Sequence, residues 1–130
     1  MNAKHYVSLE VAKLLKEKGY NEECYLYYKE EDPALYYREL YNRNSERDDI
    51  ISAPTLLEAM DWLEERGIRI VTRLRIHVLD DKEVNYWYYE VFTTKHTNAI
   101  LEFGVSDGVV MHTDRNECMN AAIKKGVELL

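Results

Sequence analysis

The residues Gly104-Val105-Ser106-Asp107-Gly108 match the G-x-S-x-G spelling of a serine nucleophile elbow. That chemistry needs the serine on a sharp strand-to-helix turn of a parallel sheet, with a base in reach. Here Asp107-Gly108 and a further apolar run follow the serine, which is the grammar of a hairpin turn. His112 is the nearest base. A hydrolase at Ser106 is therefore the minor enzymatic expectation, and a non-enzymatic protein the main one. His5, His77, His96 and His112, with Cys24 and Cys118, lack metal-ligand spacings such as C-x₂-C or H-x₃-H. Asp80, Asp81 and Glu83 lack the loop glycine of a calcium site and read as a solvated turn. The five glycines are never clustered, so no phosphate loop is spelled. No metal and no cofactor are expected.

The pattern that could bind is a stripe. Arg69, Arg73, Arg75 and His77 alternate with apolar residues, and Tyr86, Tyr88 and Glu90 follow on a returning segment. Arginine beside tyrosine can stack on a partner's side chains or on bases. The same residues can also serve only as an exposed sheet face with cross-strand pairs. Net charge weighs between partners. Lys+Arg is 17 and Asp+Glu is 24, a balance of −7, with no block of like charge. Phosphate neutralisation drives nucleic-acid binding, so another protein chain, a second copy of this one included, ranks above nucleic acid.

The elements that must position this stripe follow from periodicity. The chain has 130 residues, 46% hydrophobic and 32% charged, with only 2 Pro. One domain over 1–130 is expected, and disorder is excluded. No apolar run reaches membrane length and no signal sequence is legible, so a cytoplasmic location is expected, with Cys24 and Cys118 reduced. Ser8 and Gly19 bracket a helix over Leu9–Lys18. Cys24–Lys29 and Leu35–Tyr41 are tyrosine-rich and predict a hairpin through Glu30–Ala34. The rival is a short helix opened by Asp32 and Pro33. Residues 42–53 are expected to be an exposed loop. Thr55 and Glu58 have capping-box spacing for a helix over Thr55–Arg66, closed by Gly67.

Ile68–Leu79 and Val84–Thr94 alternate as a hairpin. A turn centred between Asp81 and Lys82 would set Trp87 opposite Ile76, Tyr89 opposite Leu74, and Glu90 opposite Arg73. On that reading Ile76 and Trp87 face the helices. Ala99–Val105 and Val109–His112 add strands. Asp114 and Glu117 open a helix to Leu130 whose apolar face is Met119, Ala122, Ile123, Gly126, Val127 and Leu130. The order α-(ββ)-α-β-β-β-α predicts an α+β fold, an antiparallel sheet with helices packed on one face.

The segments Tyr6–Tyr20 and Ser52–Leu63, the aromatic strand after the second helix, and the closing helix with Ala121–Leu130 resemble small uncharacterised proteins of gut bacteria and their prophages. The resemblance spans nearly the whole chain and rests on helix-packing and capping signals. It implies a fold and carries no activity, cofactor or partner. Residues 55–130 also have the element order of a double-stranded-RNA-binding domain, and Asn120-Ala121-Ala122 is similar to its last helix. Such domains open that helix with a basic cluster aimed at phosphates. Asp114-Arg115-Asn116-Glu117 stands there instead, so the likeness is one of topology.

Overall fold

A computed structural model of the protein describes residues 3–93, 99–103 and 114–130. Among the described residues three α-helices run α1 (Leu9–Glu17), α2 (Leu56–Glu65) and α3 (Arg115–Glu128), after a short 3-10 turn at Ala3–His5. Six strands run β1 (Cys24–Lys29), β2 (Asp32–Asn42), β3 (Ile50–Ser52), β4 (Ile68–Leu79), β5 (Lys82–Thr93) and β6 (Ala99–Phe103). They form two antiparallel sheets, ordered β2-β1-β3 and β4-β5-β6. The class is α+β.

Local signals build the helices. The Ser8 hydroxyl accepts from the Val11 N–H, and the Tyr20 and Gly19 N–H groups close on the Leu15 and Lys16 carbonyls. That pair of bonds is a Schellman stop, and it needs the left-handed φ of 93° that Gly19 supplies. Thr55 and Glu58 exchange both bonds of a capping box, 3.1 and 3.0 Å. Asp114 caps α3 by accepting from the Asn116 N–H at 2.8 Å. Cys118, Met119, Ala122, Ile123, Gly126 and Val127 form its buried face.

Residues 24–42 form a hairpin, not the rival helix. Its turn is shorter than the sequence suggested. Glu30-Glu31 makes it, with Glu31 at φ 66°, and Asp32-Pro33-Ala34 already belongs to β2. Proline fits there because β2 is an edge strand. The 11 residues of β2 face 6 in β1, and two register shifts absorb the excess.

The expected exposed loop over 42–53 is corrected in its second half. Ile50–Ser52 is a strand paired with β1, Tyr28 opposite Ile51, and all three residues are buried. Asn44 is buried too. Its Nδ2 donates to the Tyr20 carbonyl and its Oδ1 accepts from the Ser52 N–H, both at 2.8 Å. Three residues buried on both faces show no alternation, so periodicity gives no warning of them.

The register of the long hairpin is corrected by two residues. Asp80 and Asp81 both take left-handed φ, 50° and 61°, and form the turn themselves. Trp87 therefore stands opposite Leu74, Tyr89 opposite Thr72, Arg73 opposite Tyr88, and Asn85 opposite Ile76. A two-residue slip preserves parity, so each side chain keeps its expected face. Ile68, Ile70, Tyr89 and Val91 are buried against α2 and α3. One apolar cluster runs from Val7 and Leu15 of the α1 region through Tyr28 and Ile51 to Val127.

Ile76 lies on the helix side of the sheet but is not covered by the helices as expected. It is 56% exposed, with Leu74 at 48% and Val78 at 72%. Arithmetic explains this. The 12 residues of β4 span about 40 Å. The 10 and 14 residues of α2 and α3 span only about 15 and 21 Å. On the helix side the far half of the hairpin extends past α2 and α3, although Tyr86 on the opposite face is buried. Trp87 marks the boundary: it is half-buried, packs on the core, and carries the Arg115 guanidinium 5.3 Å from its ring centroid.

Candidate functional site

Parity puts Arg69, Arg73 and Arg75 of β4 on one sheet face with Tyr86, Tyr88 and Glu90 of β5, and the His77 side chain lies outside what is described. The helices pack on the opposite face. The backbone register sets Arg75 across from Tyr86 and His77 across from Val84. So the described members share one sheet face, but they are not equivalent.

Arg69 is committed. Its Nε and Nη2 donate to Glu64 Oε1 at 3.1 and 2.9 Å, across from the end of α2. Arg73 Nε lies 3.5 Å from Glu90 Oε1. That is the Arg73–Glu90 pair read from the sequence, made diagonally because Tyr88 takes the directly opposed position. Arg75 is exposed and has no ion-pair partner among the described residues. Tyr88 is half-buried. Tyr86 is 8% exposed, which corrects its place in the candidate interface: its ring is not offered to a partner.

The available surface is therefore the projecting end of β4. Arg73 and Arg75 stand on one face of it, and Leu74, Ile76 and Val78 on the other. Among the described residues no strand pairs with the outer edge of β4. Its backbone donors and acceptors there form a template for another extended segment. The apolar row was legible as residues but not as surface, because alternation separates faces without saying what covers them.

Other chemistry-bearing residues stand apart. Ser106, the Asp107-Gly108 turn, Val109–His112 and His96 lie outside the described residues. Among the described residues no three His, Cys, Asp or Glu side chains gather as metal ligands. No described helix is long and apolar enough to cross a membrane. Cys24 and Cys118 are buried and in no disulfide. Burial pushes the Cys118 thiol up to about 12, and burial, partly offset by the Tyr20 hydroxyl, pushes Cys24 up to about 11. Thiolate is the reactive form, so at pH 8 both thiols in the native protein should alkylate at least about a hundredfold more slowly than in the urea-unfolded chain. Iodoacetamide trapping followed by mass spectrometry measures this.

The aromatic side of the first sheet escaped the sequence reading. Tyr25 and Tyr37 stack with ring centroids 6.3 Å apart, and Tyr27 and Tyr36 at 5.6 Å. A cleft of about 580 Å³ opens beside the first pair, between β1, β2 and the start of α2. The clustering of six tyrosines at 25, 27, 28, 36, 37 and 41 was the available signal.

No family model matches the chain, and no curated protein or solved structure matches it significantly.

Proposed function

We propose that the protein is a non-enzymatic binding domain that docks an extended segment of another protein along the outer edge of β4. The carrying observation is the projecting hairpin, with Leu74, Ile76 and Val78 exposed beside a strand edge that no strand pairs with among the described residues. Isolated exposed apolar residues mean little, but a row of three on an unpaired edge is what sheet proteins normally blunt. Strand addition uses main-chain bonds for affinity and alternate side chains for specificity. The partner that fits alternates acidic with apolar residues, acidic against Arg73 and Arg75, apolar against Leu74 and Ile76.

A second copy of this chain fits less well. Two-fold antiparallel pairing of β4 centred anywhere from Thr72 to Arg75 sets at least one arginine opposite another, which is destabilising. Nucleic acid is also disfavoured, since Glu64 and Glu90 already neutralise Arg69 and Arg73.

The test is an eight-residue peptide alternating Glu and Val, titrated into isotope-labelled protein. Amide shifts should concentrate on Arg69–Val78. Arg73→Glu would set a second carboxylate beside Glu90, so Arg75→Glu is the cleaner variant. It should weaken the peptide at least about tenfold while stability changes by no more than about 0.5 kcal/mol. Shifts elsewhere, or equal binding by parent and variant, overturn the reading. A concentration-dependent dimer in sedimentation would replace the partner by a second copy. Retention on double-stranded RNA that collapses between low and physiological salt would replace it by nucleic acid.

A further inference from the structure

The cleft on the first sheet supports a separate inference, independent of the hairpin. Its floor is apolar, made by Leu26, Ala53 and the buried Cys24. Its walls carry three phenol rings, Tyr6, Tyr25 and Tyr37, and its rim carries two carboxylates, Glu23 and Glu58. The volume of about 580 Å³ is that of a small-molecule site. From these features we infer that the cleft binds a small alkylammonium ion, its cationic head against the tyrosine faces and the two carboxylates.

Charge settles the sign of the ligand. A helix N-terminus offers about half a positive charge, which would favour an anion. At α2 that end is already answered. The Glu58 carboxylate accepts the Thr55 N–H at 3.0 Å, and the Thr55 hydroxyl accepts the Glu58 N–H. One full negative charge exceeds the half charge it faces. Glu23 stands beside it, its charge largely offset by Arg43 at 2.8 Å. Each carboxylate thus spends one oxygen, Oε1, within the protein, and no second bond is made to its Oε2 among the described residues. The adjoining recess shares Glu23 and Glu58 and adds Glu22, Asp61 and Glu65, against the guanidinium groups of Arg43 and of Arg66, which stacks on Trp62 and lies 3.8 Å from Glu65. The field at the mouth is negative.

The rings supply what carboxylates alone do not. A tyrosine face attracts a cation through its quadrupole, more strongly when water is partly excluded, and alkylammonium groups gain from the apolar floor as well. Tyr37 lines the cleft stacked on Tyr25 and is 62% exposed, so its ring stays out of the core. The buried thiol of Cys24 contributes shape, because it is protonated at neutral pH. Binding, not bond-making, is what these groups do together.

The probes are choline, its uncharged carbon analogue 3,3-dimethylbutan-1-ol, acetate, and a short peptide carrying one trimethyllysine. Choline should shift the amides of Tyr25, Leu26, Tyr37 and Glu58 saturably. The uncharged analogue should bind at least about tenfold more weakly. Tyr37→Ala alters an exposed ring, and Glu23→Gln an exposed ion pair, so both variants should keep the fold. Each should weaken choline at least about threefold. Equal binding of choline and the neutral alcohol would reduce the cleft to an apolar groove and overturn the inference. So would acetate competing for the same amides, or the absence of any cleft shift at about 50 mM choline. Binding of the peptide with choline inert would assign the cleft to a protein side chain and overturn the small-ligand assignment.

Discussion

Leu63→Ala should lower the free energy of unfolding by about 2–5 kcal/mol, the range for truncating a buried leucine whose site relaxes only in part. Leu63 is 0% exposed and lies where α2, α3 and β4 converge. The measure of that crowding is Gly126. A methyl group placed on Gly126 would sit 3.0 Å from Leu63 Cδ1 and 3.1 Å from Ile68 Cγ2. Glycine inside a helix costs about 1 kcal/mol relative to alanine, and here it allows α3 to approach this closely. The two positions should therefore couple. Gly126→Val in the native background should overpack and destabilise by about 1–3 kcal/mol. In the Leu63→Ala background the added bulk enters the vacated space, and the double variant should be more stable than the sum of the two losses predicts. Urea unfolding of the four proteins closes the cycle. Strict additivity would show that α3 does not press on Leu63.

The second large effect is expected at Asn44. One buried side chain there satisfies two buried main-chain groups, the Tyr20 carbonyl that follows α1 and the Ser52 N–H of β3. Asn44→Ala removes both partners at once. Each group left dry and unpaired costs about 1–3 kcal/mol, so the loss should reach about 2–4 kcal/mol once some water entry is allowed. Against a total of about 5–15 kcal/mol for a typical domain, that is a large share. Denaturation midpoints measure it. Hydrogen exchange localises it, since the Ser52 amide should lose protection while amides of β4 and β5 keep theirs. A cost below about 0.5 kcal/mol would place Asn44 among ordinary surface residues.

What could be read from the chain follows the range of each signal. Ser8, Thr55, Asp114, Gly19 and Gly67 act within one helical turn, and the helices they delimit stand within a residue or two of the expected bounds. Parity is also local, so the faces of β4 and β5 were legible. Register was not, because it depended on which two residues turn. Asp80-Asp81 tolerate left-handed backbone through their short polar side chains better than a pair containing Lys82 does. β3 was hidden because Ile50-Ile51-Ser52 is buried on both sides. The projecting apolar row and the tyrosine cleft were hidden for another reason. Each is a relation between distant elements: helix length against strand length in one case, residues 6, 23–26, 37 and 53–58 in the other.

The contact between α1 and α3 has a consequence for synthesis. The Ser8 N–H is received by Asn120 Oδ1, and Glu10 pairs with Lys124, so α1 completes its packing on residues made 112 positions later. At about 5–20 residues per second, that interval on the ribosome is about 6–22 s. During it, the Val11, Ala12 and Leu15 face of α1 has the first sheet to lean on but not α3. A nascent chain in that state exposes the surface that holdase chaperones recognise. Its escape depends on how quickly α3 emerges, more than on the strength of any contact made before.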